Sequence, residues 1–273
     1  GFRSFVACTL SRPAQVQSPY KLASLTRGLS VLALFTREQP TLSLSEIITS
    51  TGLSKSTAFR IAITLKDLGY LERSRENKRF SPGPKVLNLG FTALSSLELR
   101  RVARPITERL AHQVGYTVSL AILDGMDVVY IDLVQPSAAL GVNLDLGMRI
   151  PAHATSLGKA IMAFLPQQEL DCRLHGAQLE RCTPYTIADH ASLQSNLEIV
   201  RELGYSCNDE EWVLGLRSTG APILNARGEA VASINCAVPA DMVSRIKLES
   251  DISPKVSRAA LNISQALDVN SRC

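Results

Sequence analysis

Apolar residues recur at two different periods along this chain, and the change of period divides it. From Leu22 to Thr36, the residues Leu22, Leu25, Leu29, Leu32 and Phe35 fall at helical spacing, and Pro40 closes the segment. Ser43-Leu44-Ser45-Glu46 has the form of a capping box, in which the Ser43 and Glu46 side chains each satisfy an amide at a helix start. That predicts a short helix stopped by Gly52. Ser54 then caps a second helix, Lys55 to Leu68, whose Ala58, Ile61, Ala62 and Leu65 form one packed stripe. Ser56 and Arg60 lie opposite that stripe, with Phe59 and Ile63 beside them. Tyr70 to Arg73 and Lys78 to Phe80 then flank Ser74 to Asn77 as a cation-rich hairpin. Two short helices joined by a glycine turn make a helix-turn-helix, and the hairpin adds a wing.

Beyond Pro82-Gly83-Pro84 a connecting helix is predicted over Lys85 to Ser96. Another follows over Val102 to Val114, with Pro105 near its start, where proline is tolerated. The period then changes to that of strands. Val118 to Leu123 and Val128 to Ile131 are split by Asp124-Gly125-Met126-Asp127; Val213 to Leu224 and Ala230 to Val238 are split by Asn225-Ala226-Arg227-Gly228. Both pairs read as hairpins. Helices fit Leu157 to Phe164, Gln167 to Leu174, Leu193 to Leu203 and Ile252 to Leu267. Antiparallel strands with helices outside them predict an α+β fold.

Length agrees with more than one domain: 273 residues, at ~100–200 per domain, suggest two. With 45% hydrophobic and 20% charged residues the chain is ordinary for a globular protein, which excludes disorder, collagen and rods. No run approaches the ~18–20 apolar residues of a membrane-spanning helix. The apolar patch Phe5 to Leu10 is shorter than a secretory core and lacks a cleavage site, so residues 1–20 read as a flexible extension. Charge sharpens the division. Residues 21–84 hold ten Lys/Arg against five Asp/Glu, whereas residues 85–273 hold seventeen against twenty. A basic segment built around a groove-reading helix points to a polyanion partner.

The six cysteines at 8, 172, 182, 207, 236 and 273 show no C-x-x-C, which fits reduced thiols in the cytoplasm. Cys172, His175, Cys182 and His190 carry zinc-type ligands, but their order matches no common finger, and no metal or cofactor is expected. An enzyme is the competing class, with Asp209-Glu210-Glu211, His153 and Ser218 as conceivable chemistry and the first domain as a nucleic-acid-binding appendage. None of the common hydrolase, nucleotide-binding or metalloprotease motifs is present, and an acid trio on a turn reads as solvated. No catalytic residue is assigned.

Several stretches together resemble the IclR family of bacterial transcriptional regulators, over residues 21–268. They are Leu25-Thr26-Arg27-Gly28-Leu29, Gly52-Leu53-Ser54-Lys55-Ser56-Thr57-Ala58-Phe59-Arg60 and Leu68-Gly69-Tyr70-Leu71. Further along come Pro151-Ala152-His153-Ala154-Thr155-Ser156-Leu157-Gly158-Lys159-Ala160 and Asn208-Asp209-Glu210-Glu211 with Gly215-Leu216-Arg217-Ser218. The stretch Pro82 to Gly90 with Leu94 to Leu97 looks like the branch that governs aromatic-acid catabolism, such as protocatechuate and 4-hydroxybenzoate pathways. The resemblance implies, after the extension 1–20, a winged helix-turn-helix DNA-binding domain 21–84, a linker helix 85–101 and a GAF-like effector-binding domain 102–273. It also implies a dimer or tetramer working in the cytoplasm, away from membranes.

For the first domain, base edges in a double-stranded, pseudo-palindromic operator fall to Ser56, Thr57 and Arg60 at the start of the recognition helix, with Ser54 at its cap. Lys55, Arg73, Arg75, Lys78 and Arg79 are assigned to phosphates, and Arg27 matches a family position that approaches DNA. In the second domain, the helix beginning at Ser156 offers unpaired amides to an anion. The family places a small carboxylic acid there, at positions matching Ser156, Leu157, Asn208, Ser218, Asn235 and Ala237. Asn208 stands where the glyoxylate-shunt members carry Asp, Ser218 where Cys occurs and Ala237 where Ser occurs. Those changes suit a less polar acid, and Leu144, Leu146, Met148 and Leu216 are candidate walls for its ring.

Overall fold

The computed structural model describes residues 22–36, 39–136 and 144–270, so the expected extension 1–20 lies outside the described residues. The chain forms two compact units, Gly1–Ser96 and Leu97–Cys273.

In the first unit α1 (Ala23–Leu32), α2 (Leu44–Thr51) and α3 (Lys55–Asp67) precede a two-stranded wing, β1 (Leu71–Arg73) and β2 (Phe80–Pro82), and α4 (Pro84–Ser96). The capping box forms as expected: Glu46 Oε2 accepts from the Ser43 amide at 2.6 Å, and Ser43 Oγ accepts from the Glu46 amide at 3.3 Å. Gly52 ends α2 in the left-handed conformation (φ 67°), which a residue without Cβ adopts freely. Val31, Leu42, Ile47, Ala58, Ala62, Leu71 and Phe80 close a core in which every element from α1 to the wing takes part.

In the second unit α5 (Glu98–Val114) leads to β3 (Thr117–Asp124), β4 (Asp127–Val134), β5 (Arg149–Pro151), α6 (Ser156–Ala163) and α7 (Gln167–Leu174). Then come α8 (His190–Leu203), β6 (Ser206–Asp209), β7 (Leu216–Leu224), β8 (Ala230–Pro239), a short α9 (Arg245–Lys247) and α10 (Ser253–Asn270). The six strands pair in the order β5-β4-β3-β8-β7-β6, all antiparallel. Helices α5 and α10 cover one face, and α6, backed by α8, covers the other. This is the expected α+β arrangement. With both faces covered, β8 is buried along nearly its whole length, which explains why its sequence reads as a continuous apolar run and not an alternation.

Two local readings change. Helix α5 begins at Glu98, four residues before the expected start, so Pro105 sits inside the helix and not in its first turn. Buried Ala103, Thr107, Leu110 and Ala111 hold the helix in spite of the lost amide. The strand expected from Val213 starts only at Leu216, because Trp212 to Gly215 form a turn.

Candidate functional site

Each unit carries one candidate site. On α3, the Ser54 side chain caps the helix by accepting from the Thr57 amide, and its hydroxyl also lies 2.9 Å from that of Thr57. Thr57 is therefore engaged in the cap. Lys55, Ser56, Phe59 and Arg60 are exposed on α3, while Ala58 and Ala62 on the other face are fully buried. Arg27 is exposed on α1.

The wing divides its cations. Arg75 and Lys78 are exposed, with no ion pair among the described residues. Arg73 lies over the Phe80 ring, 5.4 Å from its centroid. Arg79 is committed elsewhere: it pairs with Glu46 at 2.8 Å and donates to the Thr41 carbonyl at 2.8 Å and hydroxyl at 3.1 Å. Bonds from Ser43, reinforced by Arg79, hold the Glu46 carboxyl below its ordinary pKa. Arg79 thus ties the wing to the start of α2.

In the second unit the site is built where α6 lands on the sheet. Every residue of α6 is buried. Gly220 on β7 has no side chain, so the Ser156 carbonyl approaches the strand closely, and that carbonyl accepts from Ser206 Oγ at 2.5 Å. Ser233 Oγ donates to the Leu157 carbonyl at 2.9 Å. At the helix start Thr155 Oγ1 caps the Gly158 amide at 2.9 Å, and the amides of Ser156 and Leu157 have no acceptor among the described residues.

Beside that terminus Tyr130, Leu144, Thr155, Asn208, Trp212, Leu216, Ser218, Asn235 and Ala237 line a cavity of about 10 Å³, enough for about one water molecule. The sheet register explains the grouping. Asn208 lies opposite Ser218 and Ser218 opposite Ala237, so all three face α6. Asn235 pairs with Ser119 on the same face, and Asn235 Oδ1 and Ser119 Oγ are both buried without a hydrogen-bond partner. Asn208 donates to the Ala154 carbonyl.

Four of the six residues expected to hold a ligand therefore share one cavity: Asn208, Ser218, Asn235 and Ala237. Ser156 reaches it through Ser218, oxygen to oxygen at 2.7 Å. The Leu157 side chain is fully buried in the apolar core and does not line the cavity. Of the expected apolar walls, Leu144 and Leu216 line it, Met148 packs against the core and Leu146 is exposed. Thr155, Tyr130 and Trp212 were missed. Tyr130 reaches this face because of a bulge between Leu120 and Ala121: Asp132 pairs with Leu120 but Tyr130 with Ala121, so Ile131 is the extra residue. Without that slip Tyr130 would point to the α5 face.

The acid trio is paired, with Glu211 buried and Asp209 and Glu210 half-exposed. Asp209 pairs with Arg217 at 2.5 Å, Glu210 lies 3.9 Å from the same guanidinium, and Glu211 pairs with Lys159 of α6 at 2.5 Å. Lys159 and Glu211 are buried. His153 is also buried, and burial pushes its imidazole below the ordinary histidine value. Cys172, Cys182, Cys207 and Cys236 are free thiols, and burial pushes Cys236 up to about 12. Among the described residues no three His, Cys, Asp or Glu gather as metal ligands, and no helix is long and apolar enough to cross a membrane.

Comparison with known proteins identifies both units. Residues 24–75 match the IclR helix-turn-helix domain, and residues 91–265 match the C-terminal domain of bacterial transcriptional regulator IclR. The chain belongs to the IclR family. It is therefore a DNA-binding transcriptional regulator. Among its relatives it is 32% identical to the regulator XynR of Escherichia coli strain K12, over 90% of this chain and 97% of that one. It is 31% identical to the p-hydroxybenzoate hydroxylase transcriptional activator of Acinetobacter baylyi, covering 90% of this chain and 92% of that one. A solved transcriptional regulator of Rhodococcus sp. RHA1 is 38% identical, with a TM-score of 0.77, over 92% of this chain and all of the other.

Proposed function

We propose that this regulator is switched by a small aromatic carboxylic acid bound in the cavity beside α6. The observation that carries the reading is the juxtaposition of two unpaired amides at the α6 terminus with the buried, unpartnered Asn235 Oδ1 and the aromatic walls Tyr130 and Trp212. The amides favour a carboxylate, with Leu157 contributing its N–H in place of its side chain. Asn235 Oδ1 accepts a donor at the far end of the ligand, and the rings flank an apolar body. The 31% identical Acinetobacter activator, named for p-hydroxybenzoate hydroxylase, supports the aromatic branch. A site for such an acid has to widen from about 10 Å³, so binding moves a wall, which is what a switch requires.

Trp212 is the only tryptophan in the chain, which gives the test a direct signal. Titration with hydroxybenzoates is expected to change its fluorescence and raise the melting temperature. Ala237→Leu, which fills the cavity, should abolish both responses and leave DNA binding without ligand intact. A variant that still responds like the parent would place the acid elsewhere.

On the DNA side, Ser56 and Arg60 are assigned to base edges, Thr57 beside them shares its hydroxyl with the Ser54 cap, and Lys55, Arg75 and Lys78 are assigned to phosphates of an operator in the cytoplasm. Arg27 and Arg73 are secondary phosphate contacts, and the Ser54 cap orients the helix. Arg79 supports the wing. A pseudo-palindrome requires two recognition helices ~34–36 Å apart, hence at least a dimer. Exposed Leu22 at the start of α1, Leu25 and Leu29 on α1, and Leu87, Leu89 and Phe91 on α4 suit that contact. Light scattering should report a dimer or tetramer. Lys78→Ala is expected to weaken all duplexes alike and reduce the salt slope by about one. A Lys78→Ala protein with the parent's salt dependence would remove the wing from the phosphates. No catalytic role is assigned: Glu211 and Asp209 are held by Lys159 and Arg217, and Ser218 by Ser156.

A further inference from the structure

We propose that Phe59 is a specificity-determining residue that reads the 5-methyl group of a thymine in each operator half-site. The starting point is a ring in an unfavourable place. Phe59 is 42% exposed, although α3 completes the core of its unit without it. That core takes Ala58 and Ala62 from α3, with Ile61 and Leu65 packed against them, and Phe59 is not a member. The ring lines an open hollow of about 690 Å³ with Leu44 of α2, Lys55 and Ser56.

The surroundings select the occupant. Lys55 brings a positive charge to the rim of the hollow, and Ser56 and Arg60 stand exposed on the same side of α3. A neutral peptide surface would use the apolar floor and waste the cations. A nucleic-acid duplex uses both, since phosphates meet the charge while one base edge offers an apolar group to the floor. In the major groove that group is the thymine methyl, the feature separating thymine from cytosine by contact with no hydrogen bond. Ser56, one turn before Phe59, can bond the neighbouring base edge without competing for the ring.

The inference rests on α3 being the base-reading helix, and the experiment separates the two. Duplexes enriched from a random library by the full-length protein are resynthesised with deoxyuridine replacing each thymine in turn, which deletes only the methyl group. Affinity is expected to fall about fourfold at one thymine per half-site, the loss for one buried methyl. In Phe59→Ala the thymine and deoxyuridine duplexes should bind equally, while the guanine preference supplied by Arg60 remains. Phe59→Leu should keep part of the methyl dependence. An enriched site with no methyl-sensitive thymine, or one whose sensitivity survives Phe59→Ala, overturns the proposal. If Phe59→Ala instead dissociates the oligomer, the hollow holds a second copy of the chain and the proposal fails. Should Arg60→Ala also leave base preference untouched, α3 itself is not the reader.

Discussion

Gly158→Ala is expected to destabilise the second unit by about 3–5 kcal/mol, at or beyond the upper end for overpacked cores. A Cβ at this position would sit 2.2 Å from the Ala152 carbonyl oxygen and 2.4 Å from the Ala152 Cα. These are backbone atoms of the turn that feeds α6, so no side chain can rotate aside. The helix must lift. Lifting separates Ser206 and Ser233 from the Ser156 and Leu157 carbonyls they satisfy, and each buried group left unpaired costs a further ~1–3 kcal/mol. At ~2–4 °C per kcal/mol for a unit of this size, thermal melting should fall by on the order of 10 °C, and the Trp212 response to hydroxybenzoates should vanish with it. A Gly158→Ala protein that melts with the parent would mean that α6 does not rest on Ala152 so closely.

Gly158 also shows how much of this protein was legible in its sequence. The Ser-Leu-Gly-Lys stretch marked a helix start suited to an anion, and the helix starts there. What could not be read is that Gly158 lets the helix rest on the Ala152 turn and Gly220 lets it rest on the sheet, because close approach of two backbones leaves no periodic trace. The first unit was read more completely. Its capping box, glycine stop and Ala58–Leu65 stripe are all local signals, and each depends on residues within four positions. Arg79 was assigned to a phosphate because its partners, Thr41 and Glu46, lie more than thirty residues away in the chain.

The cavity follows the same rule. Asn208, Ser218, Asn235 and Ala237 were placed together by family resemblance, and strand register brings them to one face. Tyr130 was invisible to a strict two-residue alternation, since the Leu120/Ala121 bulge reverses its direction. Leu157 is expected among the residues that hold the acid, yet the first turn of a helix that is buried all round presents its amide, not its side chain, to a ligand at the terminus. Trp212 precedes the strand expected from Val213, and it stands on the turn that Glu210 and Gly215 close, where the Glu210 carboxylate accepts from the Gly215 amide at 2.8 Å.

Lys159→Met is the second substitution with a large expected effect. It should cost about 3–5 kcal/mol, because it leaves Glu211 buried without its counter-charge. Lys159 is 1% exposed at its side chain and lies 2.5 Å from Glu211, whose backbone is itself anchored: its amide donates to Asn208 Oδ1 and its carbonyl accepts from Thr186 Oγ1 at 2.6 Å. The pair therefore pins the segment that carries Trp212 to α6, and both elements border the cavity. Replacing both members by apolar residues removes the uncompensated charge, and buried pairs exchanged in this way are often neutral in stability. Lys159→Met/Glu211→Leu should accordingly recover most of the lost stability in denaturant unfolding, but not the anchor on the Trp212 segment. The expected signature is a double variant that is as stable as the parent within about 1 kcal/mol yet shows altered Trp212 emission and weakened hydroxybenzoate binding. Equal losses in the single and double variants would show that the lysine matters for packing alone. Full recovery of both stability and acid binding would show that the ion pair holds the fold without shaping the cavity.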